Sequence, residues 1–371
     1  MNFNNIYKDK KVLITGNTGF KGAWLTTWLL NLGANVYGYS KDIPTNPSMF
    51  DALGLKDKCN HTFGDIRDKE TLKDLILKTQ PDFIFHLAAQ SIVSTSYKDP
   101  LETISTNVLG TAVVLDVIKN IDFECSCIII TSDKAYDNVE WIWGYRENDR
   151  MGGKDIYSGS KGAAELIINA YIQSFIAKKT NIKIATVRAG NVIGGGDWSA
   201  DRIVVDCINA FHNDEIVELR SPAATRPWQH VLEPLSGYLT TGQYLFENKK
   251  INGEAFNFGP SSEQIRTVFE LSSELEKRWF GSNKSNIQIT DNIPFEEAKL
   301  LKLNCDKALA YLKWKATLNF DTILDYIVEW YKCFYNNPSE TFDVTIKQIN
   351  EYSLLAKKQE INWAINKDER N

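Results

Sequence analysis

Short apolar runs alternate with longer amphipathic stretches along the first half of the chain. Residues 11–15 carry Val-Leu-Ile and predict a buried strand. Residues 16–22 turn the chain, 23–32 predict an apolar helix that Gly33 ends, and 34–39 predict the next strand. This is a βαβ unit, which implies parallel strands and a right-handed crossover. Strands at 83–87, 126–132 and 183–189 and helices at 101–119 and 157–178 continue the alternation. Such an order predicts an α/β fold built on a Rossmann-type doubly wound parallel sheet.

After Gly190 the pattern changes. Gly194-Gly195-Gly196-Asp197-Trp198 reads as a loop, and the elements beyond it are short and mixed, with a strand at 254–258 and helices at 269–280 and 321–335. The expected organisation is a dinucleotide-binding domain over 1–190 and a smaller mixed α/β substrate domain over 191–335, partly interleaved with the first. Residues 336–371 read as a polar helical extension carrying Trp363.

Composition narrows the function classes. A chain of 371 residues with 43% hydrophobic and 24% charged positions suits an ordinary globular enzyme. The net charge of -5, with scattered basic residues, argues against a nucleic-acid partner. No uninterrupted apolar run approaches the roughly 20 residues of a membrane helix, and residues 1–10 are polar. A cytoplasmic protein without a membrane partner is expected. Cys59, Cys125, Cys127, Cys207, Cys305 and Cys333 are irregularly spaced and read as reduced structural thiols. His61, His86, His212 and His230 show no zinc-ligand spacing, so no metal is expected.

Two motifs carry chemistry. The first is Thr15-Gly16-Asn17-Thr18-Gly19-Phe20-Lys21-Gly22, between the first strand and helix. Gly16, Gly19 and Gly22 let a pyrophosphate approach the backbone, and the helix N-terminus offers unpaired N–H groups. Thr18 and Phe20 lie in the same cofactor-facing turn. Ser40 stands at the end of the second strand, where an acid would hold a ribose 2′-hydroxyl. Lys41 can tolerate a 2′-phosphate and Asp42 can reach the ribose, so NAD and NADP both stay open on these residues. Asp65 and Ile66 fit an adenine edge, and Leu87, Ala88 and Ala89 are small enough to allow close approach to the cofactor.

The second motif is Tyr157 with Lys161, one helical turn apart and so on one face. A cation beside the phenol favours phenolate, which can take a proton from a sugar hydroxyl while a nicotinamide takes the hydride. Asp133 and Lys134 follow a buried strand at its carboxyl end, where ligands bind in open α/β sheets. After oxidation at carbon-4, one of them can protonate a departing 6-hydroxyl and the other can take the proton from carbon-5. Desolvation would raise an acid Asp133 and lower a base Lys134, whereas an ion pair between them would oppose both shifts and allow the roles to exchange.

These residues resemble the extended short-chain dehydrogenases/reductases over about residues 7–335. Within that group the chain is similar to the CDP-glucose 4,6-dehydratases. Besides the glycine loop, the likeness rests on Thr131-Ser132-Asp133-Lys134, Trp143-Gly144-Tyr145-Arg146-Glu147-Asn148-Asp149 and Tyr157-Ser158-Gly159-Ser160-Lys161. It also rests on Arg188-Ala189-Gly190-Asn191-Val192-Ile193-Gly194-Gly195-Gly196-Asp197-Trp198 and on Arg226-Pro227-Trp228-Gln229-His230-Val231-Leu232-Glu233-Pro234-Leu235. The resemblance implies NAD recycled within each turnover, CDP-glucose as substrate, and Thr131 bonded to the sugar 4-hydroxyl. It implies that Asp133 and Lys134 carry out the elimination and that Arg226 meets the nucleotide diphosphate. Ser40 departs from the usual acidic ribose contact.

Asn191 and Arg202 are further substrate candidates, and Trp141, Trp143, Trp198 and Trp228 are candidates for pocket walls. A 4-epimerase would need only Tyr157, Lys161 and NAD; the Asp133-Lys134 pair argues for a dehydratase instead. A silent dinucleotide sensor would have no use for these polar groups. Apolar positions in 101–119 and 157–178 predict pairing of copies through two long helices, as a homodimer or homotetramer.

Overall fold

Val12 and Ile14 face one side of the first strand and Leu13 the other, and this alternation repeats along the central strands. Seven parallel strands follow the order β7-β6-β5-β4-β1-β2-β3. They are β1 (Lys11–Thr15), β2 (Asn35–Ser40), β3 (Asn60–Phe63), β4 (Phe83–His86), β5 (Cys125–Ile130), β6 (Ile182–Ala189) and β7 (Ala255–Phe258). Every residue of β5 and β6 is buried, as expected for strands covered on both faces. The computed structural model describes all residues except Met1, Asn248, Ser262, Glu263, Asn283, Ser285, 291–299 and 366–371.

The longer helices are α1 (Phe20–Asn31), α2 (Lys69–Thr79), α3 (Pro100–Ile118), α4 (Ile156–Tyr171) and α5 (Ile203–His212). They continue with α6 (Leu232–Glu247), α7 (Val268–Phe280), α8 (Phe320–Asn336) and α9 (Thr341–Lys358). Helices α2, α3 and α4 cover one face of the sheet; α1, α6, α8 and α9 cover the other. A π turn at Ser105–Leu109 interrupts α3, a detail that the apolar pattern of 101–119 does not carry. By length and composition alone α3 could cross a membrane, which the search for unbroken apolar runs did not register. In the fold it packs against α2 and α4.

Strand 255–258 does not found a separate sheet. It pairs with β6, and α6 lies against β5 and β6, so the chain beyond residue 190 returns to the central layer. One hydrophobic core runs from Phe3 through Trp28 and Phe258 to Trp363. The segment read as a polar extension is helical over Thr341–Lys358, and its apolar side is core: Ile349, Tyr352 and Ala356 are buried. Trp363 stacks on Phe3 at 4.8 Å between ring centres. Residues 366–371 of that extension lie outside the described residues.

Candidate active site

The three glycines of the first turn do different work. Gly16 has φ +77°, and a Cβ there would lie 2.7 Å from the Ala88 amide nitrogen. Only glycine allows this conformation beside the Leu87-Ala88 backbone, which Thr15 holds through the Leu87 amide at 3.0 Å and the Ala88 amide at 3.2 Å. A Cβ on Gly22 would strike the Gly16 carbonyl oxygen at 2.1 Å, so α1 sits directly on the loop. A Cβ on Gly19 would meet only that oxygen, at 3.5 Å. Gly19 is the N-cap of α1 and no side chain caps it, which leaves the helix N-terminus open to an anion.

The far side of the loop is tied to β2. Ser40 Oγ donates to Asn17 Oδ1 at 2.8 Å and accepts from the Thr18 amide at 3.3 Å, and Thr18 Oγ1 donates to the Asp42 carbonyl at 2.7 Å. The Ser40 hydroxyl therefore anchors the turn itself. Asp65 is gripped by Arg67, whose hydrogen bonds hold its carboxyl down at about 2. The Ile66 side chain is buried under Gly110, where a Cβ would come within 2.6 Å of it, so any contact of Ile66 with a cofactor falls to its backbone. Ala89 is half-buried beyond the end of β4.

The candidate catalytic groups converge at the carboxyl end of β5. The Thr131 amide extends the ladder to the Val187 carbonyl, and Ser132 then caps the Asp133–Ala135 turn. Ser132 Oγ donates to Asp133 Oδ1 at 3.1 Å and accepts from the Lys134 amide at 3.2 Å. Asp133 is buried against Gly190, where a Cβ would fall 1.7 Å from Asp133 Oδ2. Glycine at 190 is what leaves room for this carboxyl. A shallow cleft opens there across the carboxyl ends of β5, β6 and β7, lined among others by Asp133, Gly190, Pro227, Gln229, Gly259 and Lys302. Lys134, on the same turn, does not line it.

Asp155 caps α4 by accepting from the Ser158 amide at 2.9 Å, which starts the helix just before Tyr157. Tyr157 and Lys161 are both buried. Burial raises the Tyr157 pKa, and the Ser132 hydrogen bond and the charge of Arg202 only partly oppose it. Burial also lowers Lys161 to about 8, with the charge of Lys21 adding to the shift and Glu165 opposing it. Among the described residues Lys161 has no hydrogen-bond or ion-pair partner. A buried ammonium without a partner, beside an uncapped helix N-terminus, fits a polyhydroxylated, anionic cofactor such as NAD.

Three residues that the motifs left without a role complete the site. Lys21, inside the quoted glycine loop, is lowered to about 8 by burial and by Arg202, against Asp133 and Asp197. Glu165 lies two turns beyond Tyr157 on the same face of α4. It accepts from Thr131 Oγ1 and from Arg188, through Nε at 2.7 Å and Nη2 at 3.0 Å. Asn107, on the π turn, accepts from the Gln90 amide at 2.9 Å and donates to Ser160 Oγ at 2.9 Å, which fixes α4 against the loop after β4. A buried acid at helical spacing and a lysine within a glycine loop were the available signals; the role of Asn107 had none.

The substrate candidates fall around this cleft. Arg202, at the N-cap of α5, acts electrostatically on both Tyr157 and Lys21. Asn191 adopts the left-handed conformation at φ +51° directly after Gly190. Arg226 stands opposite Arg266 in an antiparallel pair between Thr225–Pro227 and Ile265–Thr267. The tryptophans serve the framework. Trp198 packs on Trp330 and Phe334, Trp228 Nε1 donates to the Arg266 carbonyl at 3.2 Å, Trp141 packs on Tyr145, and Trp143 is exposed.

The family model described as GDP-mannose 4,6 dehydratase matches residues 13–327. A CDP-glucose 4,6-dehydratase of Salmonella typhimurium is 45% identical over 334 residues, covering 89% of this chain and 92% of that protein. Among solved structures, a dTDP-glucose 4,6-dehydratase from Bacillus anthracis in complex with NAD superposes with a TM-score of 0.73 at 18% identity, covering 88% of this chain and 97% of its own. A dTDP-glucose 4,6-dehydratase from Streptomyces venezuelae with NAD bound gives 0.74 at 20% identity, covering 88% and 99%. At these identities the two structures speak for the fold.

Proposed function

This chain belongs to the GDP-mannose 4,6 dehydratase family, and from that premise we propose that it is an NAD-dependent nucleotide-sugar 4,6-dehydratase acting on CDP-glucose. The observation that carries the reading is the packing of α4, which bears Tyr157, on the Asp133–Ala135 turn at the end of β5. It brings the group that deprotonates a sugar hydroxyl and a carboxyl for elimination to one cleft. The 45% identity with a CDP-glucose 4,6-dehydratase over nearly both lengths supports the substrate.

NAD, when bound, would supply the hydride acceptor for carbon-4 and, once reduced, the hydride donor for carbon-6. Tyr157 takes the proton of the 4-hydroxyl, with Thr131 positioning that hydroxyl. Thr131 donates to Glu165 in this structure; turned to the sugar, the same O–H would donate to the 4-oxygen as its proton passes to Tyr157. Once carbon-4 is a ketone the carbon-5 proton is acidic. One of the Asp133–Lys134 pair removes it while the other protonates the departing 6-hydroxyl, and water leaves; Asp133 is the member that lines the cleft. Lys161 supplies donors to the cofactor ribose. Arg226, opposite Arg266 in the antiparallel pair, would meet the nucleotide diphosphate, whose oxygens suit a guanidinium fork.

A second copy is the partner that the surface suggests. Leu101, Ile104 and Leu109 on α3 and Leu166 on α4 are exposed, and a homodimer would cover them. Six free thiols suit the reducing cytoplasm, where such a substrate is made.

The protein with NAD is incubated separately with CDP-glucose, UDP-glucose, dTDP-glucose and GDP-mannose. Fastest loss of one water in mass from CDP-glucose, with the alkaline ultraviolet absorbance of a 4-keto sugar, is expected. A product of unchanged mass would replace the dehydratase by an epimerase. Faster dehydration of another nucleotide sugar would overturn the substrate and leave the reaction standing.

A further inference from the structure

Beside the glycine loop, four charged side chains form one hydrogen-bonded group. Lys41 follows β2 directly, between Ser40 and Asp42, both of which bond Thr18 of the loop. Asp65 and Arg67 follow β3, the neighbour of β2. Glu102 reaches them from α3. Arg67 has five N–H donors, and all are spent. Its Nε donates to Asp65 Oδ1 at 2.9 Å, and its Nη2 to Asp65 Oδ2 at 2.6 Å and Glu102 Oε1 at 3.2 Å. Its Nη1 donates to Glu102 Oε2 at 2.5 Å and Ser105 Oγ at 2.8 Å. Lys41 Nζ lies 3.2 Å from Glu102 Oε1 and 3.8 Å from Asp65 Oδ2. Two cations and two carboxylates cancel.

In a doubly wound sheet whose first turn holds a pyrophosphate, the end of the second strand meets the adenosine ribose. A 2′-phosphate there would bring a charge of roughly -1.5 to -2 and needs free donors. Arg67 has none left, and Lys41, the one residue of the sequence that favoured a phosphate, is held by Glu102. We infer that Glu102 is a specificity-determining residue, which by pairing Lys41 and Arg67 makes this position refuse a 2′-phosphate, so that the cleft selects NAD over NADP. The inference rests on the proposed reading that the cleft takes a nicotinamide dinucleotide. It also explains how Ser40 can replace the usual acid. The negative charge that discriminates comes from a helix on the other side of the ribose position, and the Ser40 hydroxyl is left to anchor the loop.

Glu102→Gln leaves Arg67 an unpaired donor, loosens Lys41 and adds one net positive charge. Only about a third of the Glu102 side chain is exposed, with 34% accessible, but its contacts are with mobile surface cations rather than core. Equilibrium binding of NAD, NADP and 2′,5′-ADP, followed by calorimetry, tests the inference without turnover. In Glu102→Gln, NADP and 2′,5′-ADP should tighten about tenfold relative to NAD, with NAD itself changed by less than about threefold. Adding Lys41→Ala should reverse most of that gain. Normal NAD binding with an unchanged NADP-to-NAD ratio in Glu102→Gln overturns the inference alone. A wild-type protein that binds no NAD, or prefers NADP, overturns the cofactor reading and this inference with it.

Discussion

Two buried polar regions of this molecule make opposite use of charge. On the α6 side of the sheet, Glu233 Oε1 accepts from the amides of Thr317 at 2.8 Å and Leu318 at 2.6 Å, and Oε2 accepts from Tyr352 OH at 2.8 Å. Trp314 Nε1 donates to the neighbouring Ser236 Oγ at 2.8 Å. Every bond there joins elements of the same chain, α6 to α9 and to the strand-like run before α8. At the carboxyl end of the sheet, Lys161 and Lys21 are also enclosed, yet burial drags both ammonium groups down to about 8. A buried group satisfied by its own chain holds the fold; one left short of partners marks where a ligand completes it.

The comparison is broken most forcefully at Lys161. Replacing it by Met keeps the volume and removes the charge. Turnover should fall by two to four orders of magnitude, while the NAD-free protein should become more stable. A lysine whose folded pKa is depressed costs stability at neutral pH, and that cost fades as pH rises from about 8 towards the unfolded value of 10.5. At pH 7 the gain should approach about 3 kcal/mol, and it should shrink above pH 8. Thermal melts of both proteins across that range check it; a Met variant melting lower at pH 7 would show that Lys161 is held by partners in the fold after all.

A smaller effect belongs to the satisfied side. Trp363 closes a stack with Phe3, Trp28 and Tyr352. Trp363→Ala should cost about 3–5 kcal/mol, read as a shift of the urea midpoint. Trp363→Phe should cost clearly less, because the indole N–H is buried without a partner. If Trp363→Ala costs under about 1 kcal/mol, the tail is an appendage and not core.

That tail also shows what could be read from the amino acids and what could not. β1 and β5 announce themselves as mostly apolar runs, and β6 does so through Ile182, Ile184, Ala185 and Val187 although Lys183, Thr186 and Arg188 are buried among them. Tyr157 and Lys161 announce themselves through helical spacing. Helix α6 does not, because Ser236, Thr240, Thr241 and Gln243 are buried within it: the threonines bond back to carbonyls one turn earlier, and Ser236 also meets Trp314 and Tyr352 from distant segments. Likewise the tail's polar count hides one apolar stripe, visible only once α1 and α8 supply its counterpart. Lys21 was on view in the glycine loop, but its neighbours Asp133, Asp197 and Arg202 reach it only through the topology. Local spacing reveals groups that share an element; it is silent on groups that meet across elements.

The finest test of the contrast is pH at Glu233. Burial raises its carboxyl from the ordinary 4.5 to about 7, although three hydrogen bonds pull it down. Between those two values the folded protein keeps a proton that the unfolded chain has released. The stabilisation is therefore complete below about 4.5, declines as pH rises through 7, and is gone above it. Glu233→Gln preserves the acceptor for the two amides and leaves Tyr352 able to accept from the new NH₂. It should flatten this part of the stability profile and, above pH 7, leave the variant up to about 3 kcal/mol more stable than the parent, with turnover unaltered at a fixed pH. Denaturation midpoints at pH 5.5 and 8.5, about one unit or more from the two pKa values, separate the cases. A parent and variant with parallel profiles would mean that Glu233 is ionised throughout, and the satisfied cluster would then bear a full buried charge, as the catalytic cleft does.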